Sequence, residues 1–291
     1  MKGNQFKYWL YEKMNNILLA LKGAIFGIAN IIPGVSGGTI ALTMGVYEDL
    51  ISSISHFFKN PKQSLKFLIP FAIGAVLSIL LMSKLISLCL EKFPFPTTLF
   101  FVGLIMGGIP LLTKKVKNSK PTISNIFLFL LTFTIVLVMN FVKTSSSEVS
   151  LATINFGTMI LLLVVGLVAS ATMVIPGISG SFVLMLLGYY KPIVNTVSAL
   201  TDFSKLGHNL TILIPFGIGV LLGIILISKL LEYLFNKYEI PTYYAILGFV
   251  ISSILTLLLS VISPEVAIVQ VLIGVVLLVV ASLIGYKLGD E

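Results

Sequence analysis

The chain has 291 residues, of which 57% are apolar and only 10% are charged, whereas about 25% of an ordinary soluble domain is charged. This composition excludes a water-soluble globular fold and indicates that lipid is the solvent for most of the protein. The net charge is +8, and every one of the 19 basic residues is a lysine, so bidentate binding of a phosphate by arginine is excluded.

Apolar runs with few or no charges predict the membrane elements, since about 20 residues are needed to cross about 30 Å of hydrocarbon. The first run, 23–47, is interrupted by Pro33-Gly34. The run 149–190 is long enough to cross twice and is interrupted by Pro176-Gly177. The remaining runs, in chain order, are 67–90, 95–113, 121–142, 209–235, 240–264 and 266–286. We therefore expect an all-α polytopic membrane protein.

An internal repeat organises these runs. The segment Ile32-Pro33-Gly34-Val35-Ser36-Gly37 recurs as Ile175-Pro176-Gly177-Ile178-Ser179-Gly180. Further matches keep a constant offset that is larger by two: Leu68-Ile69-Pro70-Phe71 with Leu213-Ile214-Pro215-Phe216, and Ser83-Lys84-Leu85 with Ser228-Lys229-Leu230. A small loop insertion explains the change of offset. We interpret 1–291 as a single transmembrane domain in which repeat one covers 17–142 and repeat two covers 151–287.

Each repeat is predicted to contain a re-entrant, broken helical hairpin followed by three transmembrane helices. Three crossings is an odd number, so the two repeats are expected to have inverted topology. A cytoplasmic N-terminus satisfies the positive-inside rule, because most lysines then lie on the cytoplasmic side. Those lysines are Lys2, Lys7, Lys13, Lys22, Lys59, Lys62, Lys66, Lys114, Lys115, Lys117, Lys120, Lys237 and Lys287, against Lys92, Lys143, Lys191 and Lys205 outside. Their loop positions favour anionic membrane lipids, rather than nucleic acid, as partners.

The two Pro-Gly motifs are the candidate sites for chemistry. Proline breaks the preceding helix and glycine permits a tight reversal. Non-helical backbone is tolerated at membrane depth only where it is buried or lines a cavity, and the N-terminus of a helix attracts anions. Hydroxyl side chains are expected to cap the helix that follows each tip: Ser36 or Thr39 in the first motif, and Ser179 or Ser181 in the second. One such motif alone would favour a simple proline kink, but two copies at corresponding positions favour re-entrant tips that meet.

The residues predicted to bind an anionic phosphate are Asn30, Gly34, Ser36, Gly37, Gly38, Thr39, Gly177, Ser179, Gly180, Ser181, Lys84 and Lys229. Lys84 and Lys229 lie inside apolar runs at equivalent positions. They are either outer and inner phosphate-receiving points or lysines that extend to the interface, with Glu91 or Glu232 as partner. Asn30 either donates to the headgroup or helps the helices pack.

Other polar residues suggest narrower roles. Glu48 and Lys191 occupy equivalent positions with opposite charge, and they are either a coupling or gating pair or simple interfacial charges. The pattern around Tyr47 and Tyr243 is typical of interfacial anchoring. The two histidines and the single cysteine form no metal-binding pattern, and no catalytic motif is present, so no metal, no cofactor and no enzymatic activity are expected.

The segment 27–39, with Gly45, Tyr47 and Glu48 after it, resembles the signature of a bacterial family formerly described as a domain of unknown function. That family is now assigned as PopT-type undecaprenyl-phosphate translocases. The second motif, 175–181, fits as well, and the resemblance covers nearly the whole chain. It implies return of undecaprenyl phosphate from the outer to the inner leaflet of the bacterial cytoplasmic membrane, which recycles the carrier for peptidoglycan and related envelope polymers.

A lipid phosphate needs an anion site for its headgroup and an apolar route for its tail. The paired tips supply the first, and a groove open to the bilayer between the repeats is expected for the second. Inward transfer moves negative charge against an inside-negative potential, at about 2.3 kcal/mol per charge per 100 mV, so coupling to H⁺ or Na⁺ by alternating access is expected. The alternative is a secondary transporter of a small soluble anion or metabolite. A membrane enzyme would require paired acid–base residues or a histidine nucleophile, which the sequence does not suggest.

Overall fold

A computed structural model describes residues 16–31, 35–141, 149–151, 153–199, 206–261 and 266–290, and these residues form twelve α-helices and no strand. The helices are α1 (Asn16–Ile31), α2 (Gly37–Thr43), α3 (Tyr47–Ser55), α4 (Pro61–Lys92), α5 (Pro94–Val116), α6 (Ile123–Phe141), α7 (Phe156–Val174), α8 (Gly180–Leu186), α9 (Tyr190–Ser198), α10 (Leu206–Lys237), α11 (Glu239–Val261) and α12 (Ile268–Asp290).

Six of the described helices are long and apolar enough to cross a membrane, namely α4, α5, α7, α10, α11 and α12. At about 1.5 Å per residue, α5 and α11, with 23 residues each, are about 35 Å long, which matches a hydrocarbon layer of about 30 Å. Their leucine, isoleucine and valine side chains are suited to contact lipid on one side of the helix and to pack against the helix bundle on the other. The predicted all-α polytopic membrane fold is confirmed.

The helix boundaries recur with the spacing of the sequence repeat. Helices α2 and α3 are separated from α8 and α9 by the same offset as the two Pro-Gly motifs. Helices α4, α5 and α6 are separated from α10, α11 and α12 by the larger offset of the later sequence matches. The paired helices α4 and α10 both contain 32 residues, and α5 and α11 both contain 23. The inverted orientation of the two halves in a bilayer stays a prediction.

The first helix of each hairpin packs on a long helix through a small-residue contact. In the first half, a Cβ atom at Gly27 of α1 would lie 2.3 Å from the Ser78 hydroxyl of α4. In the second half, glycine and serine exchange places: the serine, Ser170, is on α7, and the glycine, Gly223, is on the long helix α10. A Cβ atom at Gly223 would lie 2.2 Å from the Ser170 hydroxyl. Either arrangement leaves room for only one side chain, which lets the backbones approach closely.

The last helix of each half packs against the other half. Helix α12 lies against α5, and α6 lies against α11. A Cβ atom at Gly103 of α5 would lie 2.3 Å from the Leu278 carbonyl oxygen, and one at Gly248 of α11 would lie 2.3 Å from the Phe129 carbonyl oxygen. The main apolar core accordingly contains residues of both halves, from Leu19 to Ala281. This interlocked packing favours the interpretation of the chain as one domain.

Substitution of Gly248 tests whether this exchange of helices stabilises the protein. A Cβ atom there would also lie 2.2 Å from the Thr132 Oγ1 atom, so we expect Gly248→Ala to separate α6 from α11 and to destabilise the protein by about 1–3 kcal/mol. Gly217→Ala on α10 is the matched control, because a Cβ atom there meets nothing within 4 Å. Thermal unfolding in detergent measures the effect. Equal melting temperatures for the two variants would contradict the packing described here.

Candidate functional site

The first tip leads into a short buried helix. Ser36 precedes α2 with extended backbone (φ −91°, ψ 124°), and all seven residues of α2 are buried. Pro33 and Gly34 lie outside the described residues. The helix ends at a glycine with left-handed backbone, Gly45 (φ +69°), and the next amide, Val46 N–H, donates to the Ala41 carbonyl at 3.0 Å. This pattern is the Schellman motif that closes many helices.

The second tip repeats this design. Residues 175–179 interrupt the helical structure between α7 and α8, and Gly177 has left-handed backbone (φ +83°). Helix α8 ends at Gly188 (φ +75°), where the Tyr189 amide donates to the Leu184 carbonyl at 2.9 Å. The two left-handed glycines Gly45 and Gly188 thus end equivalent helices, at the positions that the repeat predicts.

The two tips contact each other directly. The Gly177 N–H donates to the Thr39 Oγ1 atom at 2.6 Å, and the Ser36 hydroxyl donates to the Ile175 carbonyl at 3.4 Å. Gly38 faces the same junction, since a Cβ atom there would lie 2.7 Å from a carbonyl oxygen at the end of α7, where the second tip begins. The predicted meeting of the two motifs is therefore present in the structure, and polar groups of one half satisfy those of the other.

A tyrosine closes the junction from the side of the first half. The Tyr47 hydroxyl donates to the Val174 carbonyl at 2.9 Å, at the last residue of α7. Tyr47 is only 3% exposed, so its predicted role as an interfacial anchor is wrong. A carbonyl at the C-terminal end of a helix has no partner within that helix, and the buried phenol supplies one.

The predicted capping by hydroxyl groups is also wrong. Ser36 and Ser179 occupy the capping positions before α2 and α8, but neither side chain accepts a hydrogen bond from its own helix. The Ser36 hydroxyl bonds across to the other half, and the Ser179 hydroxyl lies 2.8 Å from the Ser181 hydroxyl. The Ser36 hydroxyl thus links the two halves, whereas the contact between Ser179 and Ser181 stays within the second tip.

A small cavity lies beside the second tip. Its volume is about 70 Å³, and its walls combine the tip with α6, α8 and α11. The lining residues are Val136, Met139, Gly177, Ile178, Ser179, Phe182 and Thr256. Of the predicted phosphate-binding residues, Gly177 and Ser179 line this space. The Ser181 hydroxyl lies behind them, within hydrogen-bond distance of Ser179, and Gly180 is buried.

A larger apolar groove of about 410 Å³ lies on another side of the same tip. Leu230 and Tyr238 in its wall are 50% and 46% exposed, so the groove opens at the surface of the helix bundle. Its lining residues come from α6, the second tip, α10 and α11: Ser124, Leu128, Ile175, Pro176, Ile227, Leu230, Leu231, Leu234, Tyr238, Pro241, Thr242, Ala245, Ile246 and Phe249. An extended hydrocarbon chain in this groove would lie against Pro176 and Ile175, next to the polar junction.

Asn30 contacts the start of the first tip helix. Its Nδ2 group donates to the Phe26 carbonyl at 2.8 Å, within α1. A Cβ atom at Gly37 would lie 2.3 Å from this amide nitrogen, so the close approach requires glycine. Asn30 therefore lies beside the first tip, as the sequence predicts. Contact between Asn30 and a headgroup stays a prediction.

Lys84 and Lys229 lie away from the junction. Both side chains are exposed on the long helices α4 and α10, and neither lines the cavities described here. Lys191 is also exposed, near the start of α9. Lys84 and Lys229 occupy equivalent positions of the two repeats, and Lys191 occupies the position that is equivalent to Glu48. The structure does not bring any of these three lysines to the tips.

Glu48 belongs to a separate polar cluster. Its carboxylate accepts hydrogen bonds from the Lys115 ammonium at 3.2 Å and from the Tyr243 hydroxyl. These groups line a cavity of about 230 Å³ between α3, α5, α10, α11 and α12. Tyr243 is 3% exposed, so its predicted interfacial role is wrong as well. The partners of Glu48 thus come from both halves.

Lys22 is a functional candidate that the sequence reasoning missed. It is 2% exposed, and its ammonium donates to the carbonyls of Met44 at 2.9 Å and Leu288 at 3.1 Å. These carbonyls lie at the C-terminal ends of α2 and α12, where the helix dipole favours a cation. The expectation that Lys22 lies in a loop is therefore wrong, and its place on the cytoplasmic side of the membrane stays a prediction. The signal was its position inside an apolar helix, where the repeat has Val165.

Comparisons with known proteins show a family and two relatives that the chain resembles. The model of the VCA0040-like family, described as undecaprenyl phosphate translocase-like, matches residues 26–271. A polyprenyl-phosphate transporter of Staphylococcus aureus is 33% identical over 238 residues, which cover 80% of this chain and 83% of the relative. A polyprenyl-phosphate transporter of Vibrio cholerae is 30% identical over 259 residues, which cover 84% of this chain and 78% of the relative. No solved structure matches.

The matched region includes both tips, the long helices of both halves and the start of α12. Together with the helices that are able to span a membrane, it identifies a bacterial multi-pass membrane protein. The chain belongs to the undecaprenyl phosphate translocase-like family.

Proposed function

We propose that this protein transports undecaprenyl phosphate from the outer to the inner leaflet of the cytoplasmic membrane, so that the carrier is reused in synthesis of peptidoglycan and other envelope polymers. The observation that carries the proposal is the position of a polar junction between two tips beside an apolar groove that opens at the bundle surface. One part suits a phosphate and the other a prenyl chain. Membership of the family supports the same substrate.

The headgroup is the part of the substrate that needs protein ligands. Phosphate loses its hydration when it enters the bundle, so donors must stand ready to replace water. In our proposal the Ser179 and Ser181 hydroxyls and the Gly177 and Gly180 amides receive it at the second tip. When the tips separate, the Thr39 side chain no longer accepts from Gly177, and that amide becomes available to a phosphate oxygen. The remaining proposed ligands on the first half are Asn30, Gly34, Ser36, Gly37 and Gly38.

The prenyl tail of the substrate needs an apolar path through the protein more than it needs tight binding. Lipid chains are as apolar as leucine side chains, so a prenyl chain gains little free energy on leaving the bilayer for the groove. The apolar wall around Leu230 and Ile246 merely keeps that transfer close to neutral while the headgroup is held at the tip. A transporter of a small soluble anion has no use for such a wall, which favours the lipid substrate over that alternative.

Inward movement of the anionic headgroup requires a source of free energy. An inside-negative potential opposes it by about 2.3 kcal/mol per charge per 100 mV. We propose coupling to an inward-moving H⁺ or Na⁺, with a cytoplasmic N-terminus and with Glu48 and Lys191 as the coupling or gating charges. Lys84 and Lys229 would act as exposed points that attract the headgroup on either side.

Leaflet transfer in liposomes tests the function and the tip site together. Undecaprenyl phosphate that moves between leaflets changes its accessibility to a membrane-impermeant phosphatase added outside. We expect Ser179→Ala and Ser181→Ala to slow transfer by about five- to tenfold, because each removes a hydroxyl that is proposed to bind the phosphate and that is worth about 1 kcal/mol. Thr211→Val is the control, since its hydroxyl bonds only within α10 and is exposed. Wild-type transfer no faster than that of empty liposomes would refute the function.

Filling the groove tests the path of the tail. We expect Leu230→Trp to slow transfer of undecaprenyl phosphate by about tenfold, as overpacking of roughly 1–3 kcal/mol opposes entry of the chain. Leu226→Trp is the matched control, because Leu226 lies one turn earlier on α10, is 56% exposed and does not line the groove. A short-chain prenyl phosphate should be affected less by the groove variant. Equal effects of both variants on both substrates would contradict the proposed path.

Imposed gradients test the coupling. With a H⁺ or Na⁺ gradient directed into the liposomes, we expect transfer in the direction of the gradient to accelerate, and one of the two ions to account for the effect. The measurement is the initial rate of transfer with each gradient imposed separately and with both dissipated by ionophores. Rates that do not change with either gradient would exclude coupling while leaving the translocase function intact.

A further inference from the structure

A titratable pair joins the two halves at a place that the proposed headgroup and tail sites do not use. The His56 Nδ1 atom lies 3.1 Å from the Glu232 Oε1 atom, and the Ser55 hydroxyl donates to the other oxygen of that carboxylate. The same imidazole nitrogen lies 3.2 Å from the Ser52 carbonyl. The His56 and Glu232 side chains are 24% and 21% exposed, so water reaches them while most of their surface is covered.

The pair connects the two parts of the proposed transport site. His56 directly follows α3, which begins with Tyr47, the residue whose hydroxyl bonds the second tip. Glu232 lies on α10 between Leu231 and Leu234, which line the apolar groove. A change in the attraction between this imidazole and this carboxylate therefore acts on the tip and on the groove wall together.

The pair has no counterpart in the duplicated half. By the spacing of the repeat, the position of His56 corresponds to Ala199, and that of Glu232 corresponds to Ser87. Two identical halves would exchange their conformations without a preferred direction, whereas a pair present at only one of two equivalent contacts between the halves biases the exchange. This asymmetry distinguishes the pair from groups retained only because the sequence was duplicated.

Other charged groups nearby form no ion pair with His56 or Glu232 in the part of the chain that the structure describes. The titratable side chains on the packed elements are Tyr47, Glu48 and Asp49 on α3, Lys62, Lys66, Lys84, Cys89, Glu91 and Lys92 on α4, Tyr190 and Lys191 on α9, His208, Lys229, Tyr233 and Lys237 on α10, and Glu239, Tyr243 and Tyr244 on α11. Glu48 is bonded to Lys115 and Tyr243, so it does not compete for the imidazole.

We propose that His56 and Glu232 form a binding site for one proton, and that its occupancy determines how firmly α3 is held to α10. In the empty state the neutral imidazole carries its proton on Nδ1 and donates it towards the carboxylate. Uptake of a proton from water by the Nε2 lone pair gives an imidazolium beside the carboxylate, and no other bond breaks. The ion pair then holds α3 to α10. Loss of the proton leaves the Glu232 carboxylate as a single negative charge in a largely apolar setting, which favours separation of the two helices.

Nuclear magnetic resonance tests the proton site without any transport. The chain has only two histidines, His56 and His208, so labelled imidazole nitrogens give two sets of signals that His208→Gln assigns. We expect His56 to show the Nδ1–H tautomer when neutral, and Glu232→Gln to change its tautomer and titration while His208 stays unchanged. Identical His56 signals in wild type and Glu232→Gln would overturn the proposal.

The pH dependence of leaflet transfer then tests coupling, and this part rests on the proposed function. Across about pH 5–8, the range in which histidine titrates, we expect the wild-type rate to change by up to about tenfold per pH unit, the limit for one proton. His56→Gln and Glu232→Gln should flatten the profile, and His208→Gln should keep it. Variants that retain the wild-type profile would overturn the proposal. Absence of wild-type transfer at every pH would refute the translocase function, and the resonance experiment would still decide the proton site.

Discussion

Peptide groups that leave a helix inside a bilayer have no water to bond, and each unsatisfied group costs several kcal/mol. The two tips meet this constraint with each other's groups, since the Gly177 amide bonds Thr39 and the Ile175 carbonyl receives the Ser36 hydroxyl. Neither half can therefore open its tip without new partners. In the proposed function a phosphate supplies acceptor oxygens for the released amide, so opening and substrate binding are linked by the same atoms.

Duplication explains the framework of the fold, and a few residues depart from the symmetry between its two halves. Four pairs of equivalent helices have the same lengths, namely α2 and α8, α3 and α9, α4 and α10, and α5 and α11, and the last helix of each half packs against the other half. Each half is thus a near copy that completes the other. Three features exist on one side only: buried Lys22 where the repeat has Val165, the His56–Glu232 pair, and Glu48 where the repeat has a lysine. All three attach elements of the first hairpin to helices α10, α11 or α12 of the second half. Contacts between the two halves are where an energetic bias between two conformations has to act.

The sequence predicted what depends on local pattern and on duplication. Pro-Gly motifs, apolar lengths and constant offsets suffice to locate the breaks, the spans and the meeting of the tips. They do not suffice for side-chain partners. The hydroxyls of Ser36 and Ser179 have the local pattern of caps, but a carbonyl of the other half and a neighbouring hydroxyl are nearer. Lys22 bonds a carbonyl 266 residues away, and Ser55 bonds a carboxylate 177 residues away, so no window of sequence contains either contact.

In the proposed function, the energetics divide between the two ends of the substrate. Transfer of the prenyl chain between bilayer and groove would be nearly neutral, so the groove would contribute a path and the tips would contribute selectivity. The headgroup would be held only by hydroxyls and amides, which bind a phosphate less tightly than an arginine clamp and so favour its release on the far side. A chain without arginine, whose tips lack charged side chains among the described residues, thus suits a transporter that must release the phosphate in every cycle.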